Sequence, residues 1–551
     1  MRNLRHWFPF LSWPRPDAAL LRGELAAALT VAVVMVPQSV AYAGLAGMPL
    51  VTGLYATFLP MLAAVLFSRS TRLSVGPSAL SALLVGASLT GLAEPGSAQW
   101  VAFAVWLAIL AGVMQLGVGI AGASWVLNLV SSPVLAGFSQ AGAVLIISSQ
   151  LPPLLGAKGP LLQLFQAPAF NLEGLGYGIG ALALFEAGKR LAPRLPVVLI
   201  VLAAAGALSW WSGFAARGGA VIGALPSGFP HFYWPGLPSV DLLGTLLAPA
   251  LVLTLVTSLE MAASAKIESQ REGRRWDAGQ DLIGQGVGKL VAAFSGAFPV
   301  STSFSRSAIT LYSGAKTGWA TVFATGVVLL VLMFLTPALY HVPSAVLSAV
   351  VVTAVLGLIK PKIFTNLWKL HRVEGVIMGV TFLATLATAP RIYWGVLTGV
   401  VLGMSHFLYH RLHPRIIEVG LHPDGSLRDR HLWKLPPIAA HTYALRMDDE
   451  LDFASASALE RQVLQHLAAH PDVRHVCLFA HPINRIDATG VEVFGQLRRH
   501  LAGRGITLHI SGIKLPVETM LRRAGELKDD PLLKMYRTDV EALVAFGRLS
   551  A

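Results

Sequence analysis

The sequence predicts a polytopic α-helical membrane protein that ends in a small α/β domain. Three observations predict this class. Of 551 residues, 54% are hydrophobic and only 13% are charged, against roughly 25% charged in an average soluble protein. The apolar residues form windows of about 17 to 25 residues, long enough to cross a bilayer as a helix. After His410, short strand-like and helix-like segments alternate instead.

Residues 1–23 precede the first apolar window. They include basic residues but no small-residue cleavage site after a short apolar core, so we predict a cytoplasmic N-terminal segment and no removable signal peptide. Residues 24–410 are predicted to form a transmembrane domain with fourteen spans. The windows are 24–47, 50–68, 74–91, 99–119, 126–150, 172–188, 195–213, 242–265, 276–297, 302–314, 318–337, 343–359, 373–389 and 391–410.

The basic residues support this count, because they cluster after the even-numbered spans. These clusters are Arg69 and Arg72; Lys189, Arg190 and Arg194; Lys266, Arg271, Arg274 and Arg275; Lys316; Lys360, Lys362, Lys369 and Arg372; and Arg411 and Arg415. The loops after odd-numbered spans hold only isolated cases, namely Lys158, Arg217 and Arg391. By the positive-inside rule, both termini are cytoplasmic. The net charge of +13 follows this pattern, and we predict no nucleic-acid partner.

The two halves of the transmembrane domain resemble each other. Val75-Gly-Pro-Ser in the third window and Phe298-Pro-Val-Ser before the tenth both open a short helix behind a proline. These windows are seven apart, and an odd number of spans per half inverts the second copy in the membrane. We therefore predict two inverted repeats of seven spans, with two half-helices whose N-termini face each other. The alternative is that Gly/Ala/Pro-rich helices are alike by composition alone.

The stretch Phe298–Lys316 is too short and too polar for an ordinary lipid-facing span. Pro299 indicates a break, and a half-helix is predicted to begin near Ser303, where unpaired backbone N–H groups and the positive dipole end favour an anion. Arg306, one turn inside, adds a full charge. We predict an anion site at mid-membrane depth. The alternative is a cytoplasmic re-entrant turn in which Arg306 is paired structurally.

Two further segments contribute candidate anion-binding residues. Gln38 and Tyr42 lie four apart in the first span, behind a proline, and both can hydrogen-bond an oxyanion without adding charge. Alternatively, Gln38 satisfies backbone groups freed by the proline and Tyr42 packs against another helix. In the third span, Ser78 and Ala79 form the opposing helix start.

Glu260 stands in an otherwise uncharged part of the eighth span. An ionised carboxylate there is costly unless a cation compensates it, so Glu260 is a candidate group for coupling a proton or cation, or a structural partner for Arg306. A merely interfacial position, close to Lys266, is the alternative. We find no catalytic triad order, no metal-ligand spacing and no phosphate-binding glycine loop, and predict no enzyme activity, no cofactor and no metal.

Residues 411–435 are polar and turn-rich, and are predicted to form a linker. Residues 436–551 are predicted to form a cytoplasmic α/β domain. Its predicted strands are 442–446, 475–479 and 506–510, and its predicted helices are 454–469, 491–502, 516–524 and 539–546. The lone cysteine, Cys477, excludes an intrachain disulfide.

Several motifs in order resemble the SulP family of anion transporters. They are Pro37-Gln-Ser-Val-Ala-Tyr-Ala, Gly53-Leu-Tyr, Gly76-Pro77, Ser139-Gln140 to Gln150-Leu151, Phe298-Pro-Val-Ser-Thr-Ser-Phe-Ser-Arg-Ser and Ser313-Gly-Ala-Lys316. The C-terminal part resembles the STAS domain of these transporters. The resemblance implies fourteen spans in two inverted repeats of seven, a core domain that moves against a gate domain, and often a homodimer.

The resemblance also implies where the anion sits. It places the anion between the first, third, eighth and tenth spans, at Gln38, Tyr42, Ser78, Ala79, Glu260, Ser305 and Arg306. Family substrates include sulfate, bicarbonate, chloride and dicarboxylates. Sodium-coupled members tend to have an aspartate in the eighth span, so Glu260 favours a proton over sodium. We therefore predict a multi-pass protein of the cell inner membrane that carries out proton-coupled anion symport by alternating access. The alternatives are an anion channel or an uncoupled exchanger on the same scaffold.

The soluble domain resembles anti-sigma-factor antagonists, in which a serine in the loop Asp-Ser-Ser-Gly is phosphorylated. This chain has Asp487-Ala-Thr-Gly490, so Thr489 is a candidate phosphate acceptor and a cytoplasmic regulatory protein a candidate partner. The alternative, which we favour, is that the loop only turns strand into helix, with Asp487 and Thr489 as capping residues.

Overall fold

The computed structural model describes residues 7–157, 159, 171–191 and 195–547. Contacts between residues divide the chain, between Gly403 and Met404, into two compact units. Lys158 and Arg194, which contributed to the predicted membrane orientation, lie outside the described residues, as do the first six residues of the predicted N-terminal segment.

The first unit contains the predicted spans as helices. They are α1 (Ala18–Leu45), α2 (Val51–Thr57), α3 (Leu59–Phe67), α4 (Ala79–Leu89), α5 (Ala98–Ile120), α6 (Ser132–Leu154), α7 (Leu172–Leu191), α8 (Val197–Ser212), α9 (Val240–Glu272), α10 (Ala278–Phe294), α11 (Phe304–Tyr312), α12 (Trp319–Leu330), α13 (Ser344–Leu356), α14 (Lys362–Leu370), α15 (Arg372–Ala387) and α16 (Tyr393–Leu412), whose end lies in the second unit. Each of the fourteen predicted windows coincides with one of these helices or, in the second window, with two.

Five helical segments in the described part of the chain are both long and apolar enough to cross a membrane. They are Ala18–Leu45, Ala98–Ile120, Ser132–Leu154, Val240–Glu272 and Trp319–Leu339. Shorter apolar helices accompany them, at Val51–Phe67, Ala79–Leu89, Val197–Ser212 and Ser344–Leu356.

Three local features differ from the predicted windows. The second span is interrupted at Phe58, because Pro60 at the start of α3 cannot continue the hydrogen-bond ladder of α2. The eleventh span changes after α12 to a π-helical segment, Val331–Leu335, and then to a 3₁₀ turn that contains Pro337. The short helix α14 was not predicted. It has no buried residue, and its basic residues resemble those of a loop.

The third and tenth spans are broken, as predicted. Each begins with a two-residue strand, β1 (Val75–Gly76) or β2 (Ser301–Thr302), and continues as a short helix, α4 or α11. The prolines at positions 77 and 299 lack a backbone N–H, so neither span can run as an uninterrupted helix through this point.

The helices of the first unit pack in two groups. One group contains α1 to α5 and α9 to α12, and its members contact mainly one another. The other contains α6 to α8 and α13 to α15, and the start of α16 packs on α15 and α6 through Gly395 and Gly399. The groups meet chiefly where α13 and α8 contact α1 and where α4 contacts α6. Spans one to four and the corresponding spans eight to eleven therefore belong to the same group of helices.

The second unit is built on a six-stranded sheet. Its strands are β3 (Ile416–Leu421), β4 (Leu427–Asp429), β5 (Thr442–Met447), β6 (His475–Phe479), β7 (Thr507–Ser511) and β8 (Leu533–Tyr536), in the order β4-β3-β5-β6-β7-β8. Strands β5 to β8 are parallel, and β3 pairs antiparallel with β4 and β5. The helices are α17 (Ala456–Ala469), α18 (Ala488–Gly503), α19 (Leu515–Arg523) and α20 (Asp539–Ala545).

The sheet is larger than the sequence predicted. The segment 411–435, predicted as a linker, contains β3 and β4, and β8 was not predicted either. In β3, buried residues such as Ile417 and Val419 alternate at its start with partly exposed ones, a strand pattern that the surrounding turn residues obscured.

Candidate functional site

The two broken spans meet at the pair of strands β1 and β2. Val75 pairs with Thr302 and Gly76 pairs with Ser301, in antiparallel register. Because each strand leads into its own short helix, α4 and α11 leave this pair in opposite directions. The predicted meeting of two helix N-termini is therefore present, and residues more than 200 positions apart are joined by backbone pairing.

The two helix starts are capped differently. In α4, the Ser78 hydroxyl accepts a hydrogen bond from the Ser81 backbone N–H, and a reciprocal bond completes a capping box. In α11, the N-cap residue Ser303 makes no side-chain cap hydrogen bond. The first-turn N–H groups of α11 are therefore without an intrahelical partner, and they add to the positive end of the helix dipole. Ser305 is exposed in this turn, and Ala79 is buried at the start of α4.

Arg306 is completely buried one turn into α11. Its Nε donates a hydrogen bond to the Ser74 hydroxyl, 3.2 Å away. Its two terminal nitrogens, Nη1 and Nη2, are enclosed and have no hydrogen-bond partner among the residues that the structure describes. A buried guanidinium with unsatisfied donors is costly. An anion that accepted hydrogen bonds from these two nitrogens would offset that cost.

Glu260 on α9 connects the two half-helix starts. One carboxylate oxygen, Oε2, accepts hydrogen bonds from the Ser301 hydroxyl at 2.5 Å and from the Ser78 hydroxyl at 3.2 Å. No ion pair between Glu260 and Arg306 is present within the described chain. The sequence-based alternative, in which these two residues form a structural pair, does not match this arrangement.

Gln38 and Tyr42 contribute from α1, and both are buried. Tyr42 interacts electrostatically with Arg306 and Glu260, so it lies beside the two charges. The amide oxygen of Gln38 is buried and accepts no hydrogen bond from any part of the chain that the structure describes. The structure thus brings residues of the first, third, eighth and tenth spans together.

Lys289 is a site neighbour that the sequence interpretation missed. It lies on α10 and is completely buried. Its ammonium donates hydrogen bonds to the Gln115 side-chain oxygen and, at 3.0 Å, to the Thr257 hydroxyl. Both Lys289 and Arg306 interact electrostatically with Glu260. The signal was available, because an ionisable residue within an apolar window is by default a functional candidate.

The loops that flank the two short helices are fastened to each other. The Arg72 guanidinium, on the segment before β1, donates to the backbone oxygens of Ala315 at 2.6 Å and Lys316 at 2.8 Å, after α11. Glu24 on α1 accepts hydrogen bonds from the backbone N–H groups of Lys316 and Thr317, both at 2.9 Å. These contacts hold the two half-helices in one position relative to α1.

Across the described residues, no group of three or more His, Cys, Asp or Glu side chains is arranged to hold a metal ion. What the arrangement can do chemically is to bind an anion at Arg306 and the helix starts, and to exchange a proton at Glu260.

In the second unit, the loop 487–490 forms the start of α18. The Asp487 carboxylate is the N-cap and accepts hydrogen bonds from the backbone N–H groups of Gly490 at 2.8 Å and Phe453 at 3.0 Å. Thr489 is exposed in the first turn. The loop therefore caps a helix through Asp487 and leaves the Thr489 side chain accessible.

Comparison with known proteins gives matches over almost the whole chain. The model of the sulfate permease family matches residues 21–381, and the STAS domain model matches residues 436–542. A protein named as a probable sulfate transporter of Mycobacterium tuberculosis is 31% identical over 545 residues, 96% of this chain and 96% of its own length. The chloroplastic sulfate transporter 4.1 of Arabidopsis thaliana is 29% identical, covering 94% of this chain and 79% of that protein.

Solved structures show the same fold at lower identity. Murine Solute Carrier 26 family member A9, an anion transporter in the inward-facing state, aligns with a TM-score of 0.89 and 20% identity, over all of this chain and 95% of that one. The transmembrane domain of the cyanobacterial bicarbonate transporter BicA aligns with a TM-score of 0.59 and 19% identity, over 71% of this chain and 98% of that one.

These matches confirm the predicted fold class, a helical membrane protein with a C-terminal α/β domain, and the prediction of an anion transporter rather than an enzyme. They also confirm the membrane location. The chain belongs to the sulfate permease family and carries a C-terminal STAS domain.

Proposed function

We propose that the chain is a proton-coupled symporter of a small anion that works by alternating access. The observation that carries this proposal is the buried guanidinium of Arg306, whose two terminal nitrogens have no partner in the described chain and lie where two helix starts converge. A cation enclosed in this way is stabilised when an anion arrives, and the anion sheds water into a site that already offers donors.

In this proposal, four groups surround the anion. Arg306 provides the full charge, and the uncapped start of α11 at Ser305 provides backbone N–H groups. Gln38 and Tyr42 provide neutral hydrogen-bonding groups from α1, and Ser78 and Ala79 form the opposing start. The first substrate to test is sulfate, because the similar proteins of M. tuberculosis and A. thaliana are named as sulfate transporters. Bicarbonate and dicarboxylates are the other candidates.

Glu260 is the proposed coupling group. Its carboxylate is hydrogen-bonded to Ser78 and Ser301 at the two helix starts, so protonation of Glu260 changes the hydrogen bonds at the anion site directly. We assign a proton rather than sodium. A similar bovine protein, 28% identical, is named as a sodium-independent sulfate anion transporter, which supports this choice.

For alternating access, we propose that the group of α1 to α5 and α9 to α12 is the core, and that the other helices form the gate. The site residues all lie in the core group, and the few elements that join the groups allow one to move against the other. The transport domain is proposed to span residues 24–410, and the STAS domain residues 436–551, with β3 and β4 of the preceding segment completing its sheet. We further propose cytoplasmic termini, a homodimer, and regulation through a cytoplasmic protein at the STAS domain, with Thr489 as the candidate phosphate acceptor.

The test is sulfate uptake into proteoliposomes that contain the full chain. With a pH gradient, acid outside, labelled sulfate should accumulate above its external concentration, and an uncoupler should abolish that accumulation. Arg306→Ala should reduce uptake at least about tenfold, the effect of losing ~1.4 kcal/mol of binding. Arg217→Ala, the loss of an exposed arginine paired with Glu173, is the matched control and should change little.

Other outcomes would favour the alternatives. Sulfate uptake that the uncoupler does not reduce, but that requires an anion inside the vesicle, indicates an uncoupled exchanger. Steady unitary currents in a planar bilayer indicate a channel. If Arg306→Ala transported sulfate as well as the unchanged protein does, the anion site is elsewhere.

A further inference from the structure

A network of hydrogen bonds lies behind the proposed site, and the buried Lys289 is its only charged donor among the described residues. The Lys289 ammonium donates to Gln115 on α5 and to Thr257 on α9, one turn before Glu260. From Gln115, the amide nitrogen donates to the Gln285 oxygen at 2.7 Å, and the Gln285 nitrogen donates to the Thr302 hydroxyl at 2.5 Å.

The network ends at Thr302, next to a residue that contacts Glu260. Thr302 is adjacent in β2 to Ser301, whose hydroxyl donates to the Glu260 carboxylate at 2.5 Å. Four elements, α5, α9, α10 and β2, are thus connected through polar side chains in a region otherwise filled by apolar ones. Satisfied buried networks of this kind hold their members in one geometry.

The hydrogen-bond partners of Lys289 are neutral, although it is completely buried. No carboxylate lies within 4 Å of its ammonium among the residues described in the structure. A buried ammonium needs a negative charge nearby, and the charge that acts on Lys289 is that of Glu260. Lys289 and Glu260 therefore compensate each other through space.

The charged groups around Glu260 can be counted by element. Arg306 faces it from α11, Lys289 from α10, and the neutral phenol of Tyr42 from α1; the partners from α4 and β2, Ser78 and Ser301, are neutral. With Glu260 ionised, the site carries one net positive charge. With Glu260 protonated, it carries two.

We propose that Lys289 is the second positive charge of the anion site and a positioning residue for Glu260. Protonation of Glu260 then changes the site from one that fits a monovalent anion to one that fits a divalent anion. This inference rests on the proposed function and deepens it. One proton accompanies each divalent anion such as sulfate, and none is needed for a monovalent anion such as chloride. If Glu260 stays ionised, binding of a dianion gives the site a net negative charge. A net charge in a medium of low dielectric constant is unfavourable.

The experiment measures uptake of labelled sulfate and of labelled chloride by the full chain in proteoliposomes, between pH 5 and pH 8. In the unchanged protein, sulfate uptake should rise as the pH falls, while chloride uptake should not. Lys289→Met leaves no net charge when Glu260 is ionised and one positive charge when it is protonated. In this variant sulfate uptake should fall at least about tenfold relative to chloride uptake. Chloride uptake, and not sulfate uptake, should rise as the pH falls.

Three further variants keep the test decisive. Lys289→Arg restores the charge and should restore the preference for sulfate and its pH profile, which a merely space-filling role for the lysine would not require. Lys289→Met combined with Glu260→Gln removes both charges, so that neither is left buried without the other and the protein can still fold. This double variant should transport chloride at every pH. The control is Lys189→Met, the loss of an exposed lysine on α7, which should leave both profiles unchanged.

The outcomes separate this inference from the proposed function. If sulfate uptake by the unchanged protein does not depend on the pH gradient, and the Arg306→Ala substitution does not reduce it, the proposed function fails. If that uptake is proton-coupled and depends on Arg306, yet Lys289→Met and the double variant keep the sulfate preference and the pH profile of the unchanged protein, only the assignment of Lys289 fails. An equal loss of sulfate and chloride uptake in Lys289→Met, unrelieved by Lys289→Arg, also overturns it.

Discussion

The guanidinium of Arg306 lies where a side chain at Gly76 would be: a methyl group added to the Cα of Gly76 would stand 3.2 Å from Nη2 of Arg306. The same methyl group would stand 3.1 Å from the Thr57 side chain. Gly76 is paired in β1 with Ser301, so its backbone cannot move away without breaking that pair. The absence of a side chain at Gly76 therefore leaves the space that the guanidinium fills.

Gly76→Ala is expected to weaken anion binding without preventing folding. A contact of 3.2 Å is tighter than ordinary packing, and the guanidinium is the group able to shift by a few tenths of an ångström. We expect the KM for sulfate to rise about tenfold, as overpacking by ~1 to 3 kcal/mol implies, with the maximal rate changed less. Gly326→Ala, at an open position on α12, is the control. An unchanged KM would mean that Arg306 does not bind the anion from its present position.

Most of the membrane fold could be predicted from the sequence. Apolar window length and the positions of Pro77 and Pro299 were enough to locate the helices and the two breaks, since both are local properties. The pairing of Gly76 with Ser301 was not predictable, because the register between segments so far apart has no local signal. The same applies to β3 and β8, whose pairing depends on β5 and β7.

The composition of the site was predicted in part for the same reason. Four residues, Tyr42, Ser78, Glu260 and Arg306, were identified because each departs from the apolar character of its span or begins a helix, and the structure brings them together. Gln38 was identified in the same way and is buried on α1. The roles of Ser301 and Lys289 depend on which side chains meet in three dimensions. A lysine inside a span signals a function, but it does not reveal that its partners are Gln115 and Thr257.

Glu260→Gln is expected to remove the pH dependence of sulfate uptake. The amide keeps the size of the carboxyl group and can still accept hydrogen bonds from Ser78 and Ser301, but it cannot take up a proton. We expect sulfate uptake to vary less than about twofold between pH 5 and pH 8, and the apparent affinity for sulfate to change less than it does in Arg306→Ala.

The comparison with Glu260→Asp sharpens this test. Aspartate retains a titratable group but is one methylene too short to keep both serine contacts, so this variant should stay pH-dependent with a displaced profile. If Glu260→Gln and Arg306→Ala instead lose uptake equally at every pH, the two residues act as a structural unit and Glu260 is not the coupling group.

Gly53→Ala should disrupt the packing of α1 on α2. A methyl group at Gly53 would lie 1.9 Å from the backbone oxygen of Ser39, the residue next to Gln38, and backbone cannot give way as a flexible side chain can. We expect a loss of stability of roughly 2 kcal/mol or more, seen as a lower midpoint of thermal aggregation in detergent. Gly244→Ala, at an open position on α9, should be neutral or slightly stabilising. Equal midpoints for the two variants would contradict the close approach of α1 and α2.

His509 is expected to make the sheet of the STAS domain less stable in acid. It is buried on β7, with Nδ1 3.1 Å from the Tyr536 hydroxyl and Nε2 3.2 Å from Nδ1 of His475. Burial, with the nearby charges of His475 and Lys534, lowers the pKa of His509 to about 4, whereas an unfolded histidine titrates near 6.5. Between these values the unfolded chain binds more protons, so the stability present above pH 6.5 is lost as the pH falls towards 4.

The measurement is hydrogen exchange of β6 and β7 in the full chain at pH 7 and pH 5, corrected for the intrinsic exchange rates. Protection should fall by roughly 1 to 2 kcal/mol on acidification, allowing for partial solvent screening. His509→Gln removes the titrating group and should flatten this change, while His500→Gln, at an exposed position on α18, should not. The same acid-induced loss of protection in His509→Gln and the unchanged protein would assign the effect to other groups, because the neutral amide introduced by this substitution cannot take up the proton.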